Sequence, residues 1–243
     1  MRRKRGRNFS YSDQKTRRYR KRWVFLGILA VFLFYFSFTS LFFSFRVLGN
    51  DTMAPTLRAG DRIIFSSYNI YSYIPWLDLE NKPLPFRRGN IVLVNTLGGQ
   101  RPGFFMNFLD GMVRLFTFQN VNLVEDKEHL FVKRVIGLSG DEVSMINFMV
   151  RVRVRGSAFS LTEFEVTDFN YTPDIPQLPA LWDSSLPFSG NMETVTLGNN
   201  EIFLLSDDRS NTNDSRTWGP VPVRSIRGKA LFRYWPITRL GRP

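Results

Sequence analysis

Residues 23–45 form an unbroken stretch of 23 residues without a charge, dominated by Phe, Leu, Val and Ile. Wound as a helix at ~1.5 Å per residue it reaches roughly 35 Å, enough to cross a hydrocarbon layer of about 30 Å with some tilt. The run therefore predicts a transmembrane helix. A cleaved leader has a shorter apolar core, about 7–15 residues, and ends in small residues. Here Phe42, Phe43 and Phe45 close the run, which favours a permanent anchor. The preceding residues 1–22 hold eleven Lys/Arg against one acid, Asp13. They are expected to be disordered or loosely associated with anionic lipid headgroups. Cationic flanks stay on the cytoplasmic side, so the chain from Arg46 onward is expected on the outer face of the membrane, in a single-pass arrangement.

The net charge of +12 suggests nucleic acid until its distribution is followed. Residues 1–22 carry +10 of it, leaving +2 for the remaining chain. So nearly neutral a remainder has no electrostatic footprint for a nucleic-acid groove. Cysteine is absent, which removes disulfides and thiol nucleophiles, and the single His129 cannot build a multi-histidine metal site. His129 follows the charged run 125–128 and reads as solvated. No metal or cofactor is expected.

Beyond the apolar run the pattern is short and β-branched. Residues 62–65, 91–94, 130–135, 201–205 and 226–235 read as strands separated by Gly-Asp and Gly-Asn turns. The fold class is thus a mostly β domain behind one N-terminal transmembrane helix. Residues 66–88 read as a loop, and 147–197, with Pro173, Pro176, Pro179 and Pro187, as an inserted β subdomain within a main domain of 46–146 and 198–243. Residues 100–122 are too interrupted by polar residues to span a membrane. They leave two readings open, an interfacial element resting on lipid or a hairpin or helix packed on the core.

Three places carry chemistry. Residues 50–57 read Asn-Asp-Thr-Met-Ala-Pro-Thr-Leu, placing the Thr52 hydroxyl beside the hydrogen-bonding Asn50 and the apolar Met53 and Pro55. Lys133 and Arg134 stand side by side in a strand pattern, so their side chains leave on opposite faces. Either one cation points inward or both snorkel at an edge. A lysine buried among apolar neighbours loses affinity for its proton and becomes a general base. Residues 206–216 form a polar loop in which Asp207/Arg209 and Asp214/Arg216 have the spacing of paired charges, and Thr212 and Ser215 supply hydroxyls able to orient an amine. The arginines and the lack of EF-hand spacing speak against calcium.

Together these segments resemble the bacterial type I signal peptidases, membrane-anchored serine proteases with a Ser/Lys dyad. The family's box Ser-x-Ser-Met-x-Pro-Thr-Leu, followed by Gly-Asp, is similar to residues 50–57 with Gly60-Asp61; Arg-Gly-Asp-Ile-Val is similar to 88–92. Lys-Arg-Val-Ile-Gly-Leu-Pro-Gly-Asp resembles 133–141, and Gly-Asp-Asn-Arg-Asp-Asn-Ser-x-Asp-Ser-Arg-x-Trp-Gly resembles 206–219. The resemblance implies a membrane-bound endopeptidase acting on the signal peptides of secretory preproteins. It implies Lys133 as general base, Thr52 in the nucleophile's place, Asn50 in the oxyanion hole and Thr212 as the lysine-orienting hydroxyl. Asp207, Arg209, Asp214 and Arg216 would be supporting charges, with Met53 and Pro55 beside the substrate. Thr52, Asn50 and Thr212 each stand where the family has serine, so a second reading stays open: a catalytically silent homologue that binds signal segments or partners an active protease.

Overall fold

The computed structural model describes residues 11–67, 86–95, 106, 109, 113, 130–168, 170–177 and 190–243, the side chains of 11–17, 36–41 and 67 excepted. His129, residues 1–10, most of the loop 66–88, and the segment 100–122 apart from helical Met106, Leu109 and Val113 lie outside the described residues. The chain divides into two compact units, Met1–Ser40 and Leu41–Pro243.

The first unit is described by one helix, α1 (Tyr11–Phe42), which runs on into the second. Its first turns take in residues 11–22 of the basic tail, which are helical rather than disordered. No Pro or Gly interrupts them, and Lys, Arg and Gln are good helix formers that extend an existing helix at little cost. Among the described residues no helix is long and apolar enough to cross a membrane. The side chains described in α1 are those of 18–35 and 42, which open on Arg18, Arg20, Lys21 and Arg22; the side chains of 36–41, inside the expected span, lie outside the description.

The expected span also ends too late. Residues 43–45 belong to strand β1 (Phe43–Val47), which pairs antiparallel with β2 (Arg62–Ser67). The reason is the two-residue alternation Phe-Ser-Phe-Arg-Val, which suits a pleated strand better than a continued helix.

Among its described residues the second unit holds two antiparallel sheets. The larger has the order β1-β2-β11-β3-β4-β9-β10. Its further strands are β3 (Ile91–Asn95), β4 (Leu130–Gly137), β9 (Glu201–Leu205), β10 (Val221–Pro222) and β11 (Ile226–Trp235). The smaller has the order β7-β6-β5-β8, from β5 (Glu142–Ile146), β6 (Met149–Arg153), β7 (Leu161–Thr162) and β8 (Met192–Thr196). The excursion predicted at 147–197 thus coincides with most of a sheet whose first strand starts at Glu142.

Among the described residues three buried clusters hold the sheets. Ile136, Phe203 and Leu205 of the large sheet pack with Val143, Met145, Val150 and Val152 of the small one. Val92, Val94, Val135, Ile202 and Leu204 cover another core, with Trp218 and Phe131 against it. Leu48, Met53 and Leu57 seat the stretch after β1 on Ile63, Phe65, Ile91 and Leu93. Burial of this kind contributes about 25 cal/mol per Å² of apolar surface.

The long strand β11 joins β2 to β3 and shifts register against both. At Gly228 a Cβ would stand 2.2 Å from the Ser66 carbonyl oxygen, so the close approach of β11 to β2 requires glycine there.

Candidate active site

Strand β4 is interior, flanked by β3 and β9, so neither adjacent cation sits on an edge. Both are buried, Lys133 at 0% and Arg134 at 2% exposure, which overturns the snorkelling alternative. The two faces treat them differently. Arg134 is fully compensated: its Nε donates to Asp207 Oδ1 at 2.7 Å, its Nη2 to Asp207 Oδ2 at 2.6 Å and its Nη1 to the Gly89 carbonyl at 2.6 Å. Its guanidinium also stacks 3.9 Å from the centre of the Tyr171 ring. The bidentate pair with Asp207 compensates the buried guanidinium and fixes its orientation.

Among the described residues Lys133 has no such counterion. Its Nζ donates to Ser206 Oγ at 2.7 Å and lies 5.7 Å from the centre of the Trp218 ring. Burial strips the ammonium of water and pulls its pKa from 10.5 to about 8; Arg216 adds to the fall, while Asp214, Asp208 and Asp207 act against it from a distance. A lysine in this position keeps a minor neutral fraction near neutral pH that grows as the pH passes through about 8, which an ordinary lysine does not offer a general base.

The stretch carrying Thr52 is tied to the polar loop after β9 at two points. Thr56 Oγ1 donates to Asp207 Oδ2 at 2.6 Å, and the Asp208 amide donates to the Thr52 carbonyl at 3.2 Å. Arg134 also reaches Thr56 Oγ1 at 3.3 Å, so one carboxylate gathers the threonine-bearing turn, β4 and the loop. The Thr52 hydroxyl itself donates to Asn50 Oδ1 at 3.0 Å. Among the described residues no hydrogen bond joins Thr52 to Lys133. Asn50 and Pro55 are exposed and Thr52 is half-buried. Met53, expected beside a substrate, is fully buried among Leu48, Leu57 and Ile63, where its thioether fills core space and has no surface to offer.

The supporting charges divide differently from their spacing. Asp214 and Arg216 do pair: Arg216 Nε donates to Oδ1 at 2.9 Å and Nη2 to Oδ2 at 2.7 Å. Burial pushes the Asp214 carboxyl pKa up, but the Arg216 hydrogen bonds and charge outweigh it and hold the group below its ordinary value. Ionised, Asp214 accepts the Ser206 amide at 3.0 Å and the Arg216 amide at 3.1 Å, capping the short helix α2 (Ser215–Trp218). Asp207 and Arg209, by contrast, do not pair with each other. Asp207 is taken by Arg134, and Arg209 by Glu163, with Tyr171 donating to the same Glu163 oxygen. Burial and the neighbouring Glu163 charge raise the Tyr171 pKa, so its hydroxyl stays protonated as a donor.

Thr212 does not orient the lysine in this structure. Its carbonyl accepts the Asp214 amide and the Thr217 hydroxyl, while Lys133 Nζ donates instead to Ser206 Oγ. Ser206, Arg134, Thr56, Glu163 and Tyr171 escaped the sequence reading as partners of the site. The pairing of β4 with β9 is the signal for the first of them: Arg134 lies opposite Leu205 and Val135 opposite Leu204, so the next step sets Lys133 across from Ser206.

A second salt bridge joins two of the sequence boxes. Arg88 grips Asp141 with Nε at 3.0 Å and Nη2 at 2.8 Å, fixing the turn before β3 to the turn after β4.

The family model described as "Signal peptidase, peptidase S26" matches residues 20–235. The chain is 25% identical over 196 residues to "Probable signal peptidase I-1" of Synechocystis sp. (strain ATCC 27184 / PCC 6803 / Kazusa), covering 81% of this chain and 73% of that one. It is 28% identical over 197 residues to "Signal peptidase I" of Leptolyngbya laminosa, covering 81% and 70%. To "Signal peptidase I" of Bacillus caldolyticus it is 31% identical over 179 residues, covering 72% and 81%.

Proposed function

Because the chain belongs to the signal peptidase family, peptidase S26, we propose that it removes signal peptides from secretory preproteins with Thr52 as nucleophile and Lys133 as general base. The observation that carries the dyad is Lys133: fully buried, without a contacting carboxylate among the described residues, its pKa lowered to about 8. A structural lysine in such a place is a burden on stability with no return, whereas a base needs that environment. This weighs against the catalytically silent reading.

In the reaction, neutral Lys133 takes the proton from Thr52 Oγ1 as that oxygen attacks the scissile carbonyl carbon. The Asn50 side-chain amide and the Thr52 backbone N–H receive the oxyanion. Collapse breaks the peptide bond, and Lys133 returns its proton to the departing amine. Water, activated by the same lysine, then hydrolyses the ester on Thr52. In the resting arrangement the Thr52 hydroxyl is committed to Asn50, so attack requires it to exchange that acceptor for Lys133. The β-branched side chain restricts χ1 and makes this exchange a control point.

The anchor belongs to the same proposal: residues 23–42, the part of the uncharged run that stays helical, together with the basic tail before it, fit a single-pass segment with its N-terminus in the cytoplasm and the β domain outside. The exposed side of β1, with Phe43, Phe45 and Val47, adds apolar surface suited to lipid.

Detergent-solubilised protein incubated with a preprotein tests the reading. Wild type is expected to cleave and Thr52→Ala to lose cleavage, and Thr52→Ser, freed of the methyl, to gain rate on the order of 10-fold or more, since misplacement by about 1 Å costs on the order of 100-fold. Cleavage that survives Thr52→Ala at the wild-type rate contradicts the assignment of the nucleophile.

A further inference from the structure

We infer that Ser206, in place of Thr212, is the residue that positions Lys133 for catalysis in this chain, an inference that rests on the hydroxyl/lysine reading above. Ser206 Oγ accepts from Lys133 Nζ at 2.7 Å, and both residues are fully buried. The antiparallel register of β4 with β9 pairs Arg134 with Leu205, and Ser206, the first residue beyond β9, continues that register toward Lys133, so the contact is set by the sheet at the point where the loop leaves it. The serine is itself held: its amide donates to Asp214 Oδ2 at 3.0 Å, and Asp214 is gripped by Arg216. The loop's charge pair thereby fixes the backbone from which the hydroxyl reaches the lysine.

Thr212 lacks this geometry. It is half-buried, its carbonyl is occupied by the Asp214 amide and Thr217 Oγ1, and its hydroxyl makes no hydrogen bond among the described residues. In the box that residues 206–219 resemble, glycine stands at the place of Ser206 and serine at that of Thr212, so this chain has gained a hydroxyl at one position and added a methyl at the other. Ser206 is a positioning residue and not an alternative nucleophile, because it has no exposed surface for a substrate carbonyl to approach.

The consequence for Lys133 is specific. A hydroxyl oxygen that accepts from the amine favours the ammonium over the neutral form, since hydrogen bonds to charged donors are the stronger ones. It also aims the amine, and a base out of line by about 1 Å loses on the order of 100-fold in rate. Without Ser206, kcat falls by roughly 10–100-fold with KM little changed, and the titration of Lys133 moves toward lower pH by roughly one pH unit.

Two readouts on the full-length protein in detergent separate this inference from the one beneath it. The first is preprotein cleavage as kcat and KM against pH. The second is the titration of the Lys133 side-chain nitrogen by NMR on protein labelled with nitrogen-15 lysine, its signal identified by its loss in Lys133→Met. For Ser206→Ala the expected result is the lowered kcat together with the displaced Lys133 titration. The double variant Ser206→Gly with Thr212→Ser, which restores the glycine and serine of the box that residues 206–219 resemble, is expected to recover rate relative to Ser206→Gly. A Lys133 titration unmoved by Ser206→Ala but displaced by Thr212→Ala overturns the inference, whatever the cleavage data. If the titration moves as expected in Ser206→Ala but no form of the protein cleaves, the contact is upheld as the lysine's positioning bond and the proteolytic reading fails.

Discussion

Lys133→Met is expected to lower kcat by roughly 10²–10⁴-fold, the contribution typical of a positioned general base, while making the folded protein more stable at pH 7. The two effects share one cause. The lysine is fully buried and its pKa is lowered from 10.5 to about 8. Below about pH 8 the amine is protonated in both the folded and unfolded chains, and the folded state bears the whole cost of burying the charge. Between about 8 and 10.5 the unfolded chain still binds the proton that the folded one has released, so wild-type stability rises with pH; above that window the penalty is gone.

The shift corresponds to about 3 kcal/mol. Loss of the Ser206 hydrogen bond and the Trp218 contact offsets part of it, leaving a gain of roughly 1–3 kcal/mol for methionine at pH 7. Urea denaturation of both proteins at pH 7 and pH 10 checks the sign: the stability difference is expected to shrink at the higher pH. In the wild type, the same titration predicts that cleavage rises with pH through about 8, as the neutral lysine becomes available.

The second large effect lies away from the reacting atoms. Arg209→Met is expected to destabilise the β domain by about 3–5 kcal/mol, because it strands the Glu163 carboxylate without its cation in a site with no access to water. Both side chains are fully buried, and Glu163 comes from the turn after β7. The same region meets the catalytic loop again at Asp174, whose amide donates to the Asp207 carbonyl at 2.9 Å and whose carbonyl accepts the Arg209 amide at 2.8 Å. The pair therefore clips the small sheet's connection onto the loop that carries Ser206 and Asp207.

Geometry limits its worth as a stabiliser. Arg209 Nε and Nη1 and Glu163 Oε1 find no hydrogen-bond partner among the described residues. An ion pair so incompletely satisfied contributes little net stability against apolar replacements of similar volume. The double variant Glu163→Leu with Arg209→Met is accordingly expected to recover most of the loss in denaturant midpoint, with an unchanged slope. It should still cleave more slowly, since the loop has lost its tether. Equal stability losses in the single and double variants would contradict the pairing.

The sequence announced the site's chemistry better than its wiring. Alternation within 131–136 sends Lys133 and Arg134 to opposite faces, and the boxes at 50–57 and 206–219 identify the partners by resemblance. A local pattern cannot say which strand lies alongside β4, and that pairing, across 73 residues, is what brings Ser206 to Lys133. For the same reason Asp207 and Arg209 look like partners two residues apart, yet each finds a stronger one elsewhere, Arg134 through the sheet and Glu163 from the excursion. Met53 shows the other limit: an apolar residue beside a hydroxyl reads equally as cleft lining or core, and only packing on Ile63 and Ile91 decides for core. At the end of the apolar run hydropathy masked a second signal, the two-residue alternation that turns residues 43–47 into β1.

The central claim, that the Thr52 hydroxyl attacks the scissile bond with Lys133 as its base, is tested most directly by trapping the ester. Wild-type protein mixed with a preprotein and quenched in acid within the first turnovers should carry the signal-peptide fragment as a covalent adduct. Proteolytic mapping by mass spectrometry should place it on Thr52, and both Lys133→Met and Thr52→Ala should abolish it. An adduct on Ser206, Thr212 or any other residue, or one that forms equally without Lys133, would contradict the account.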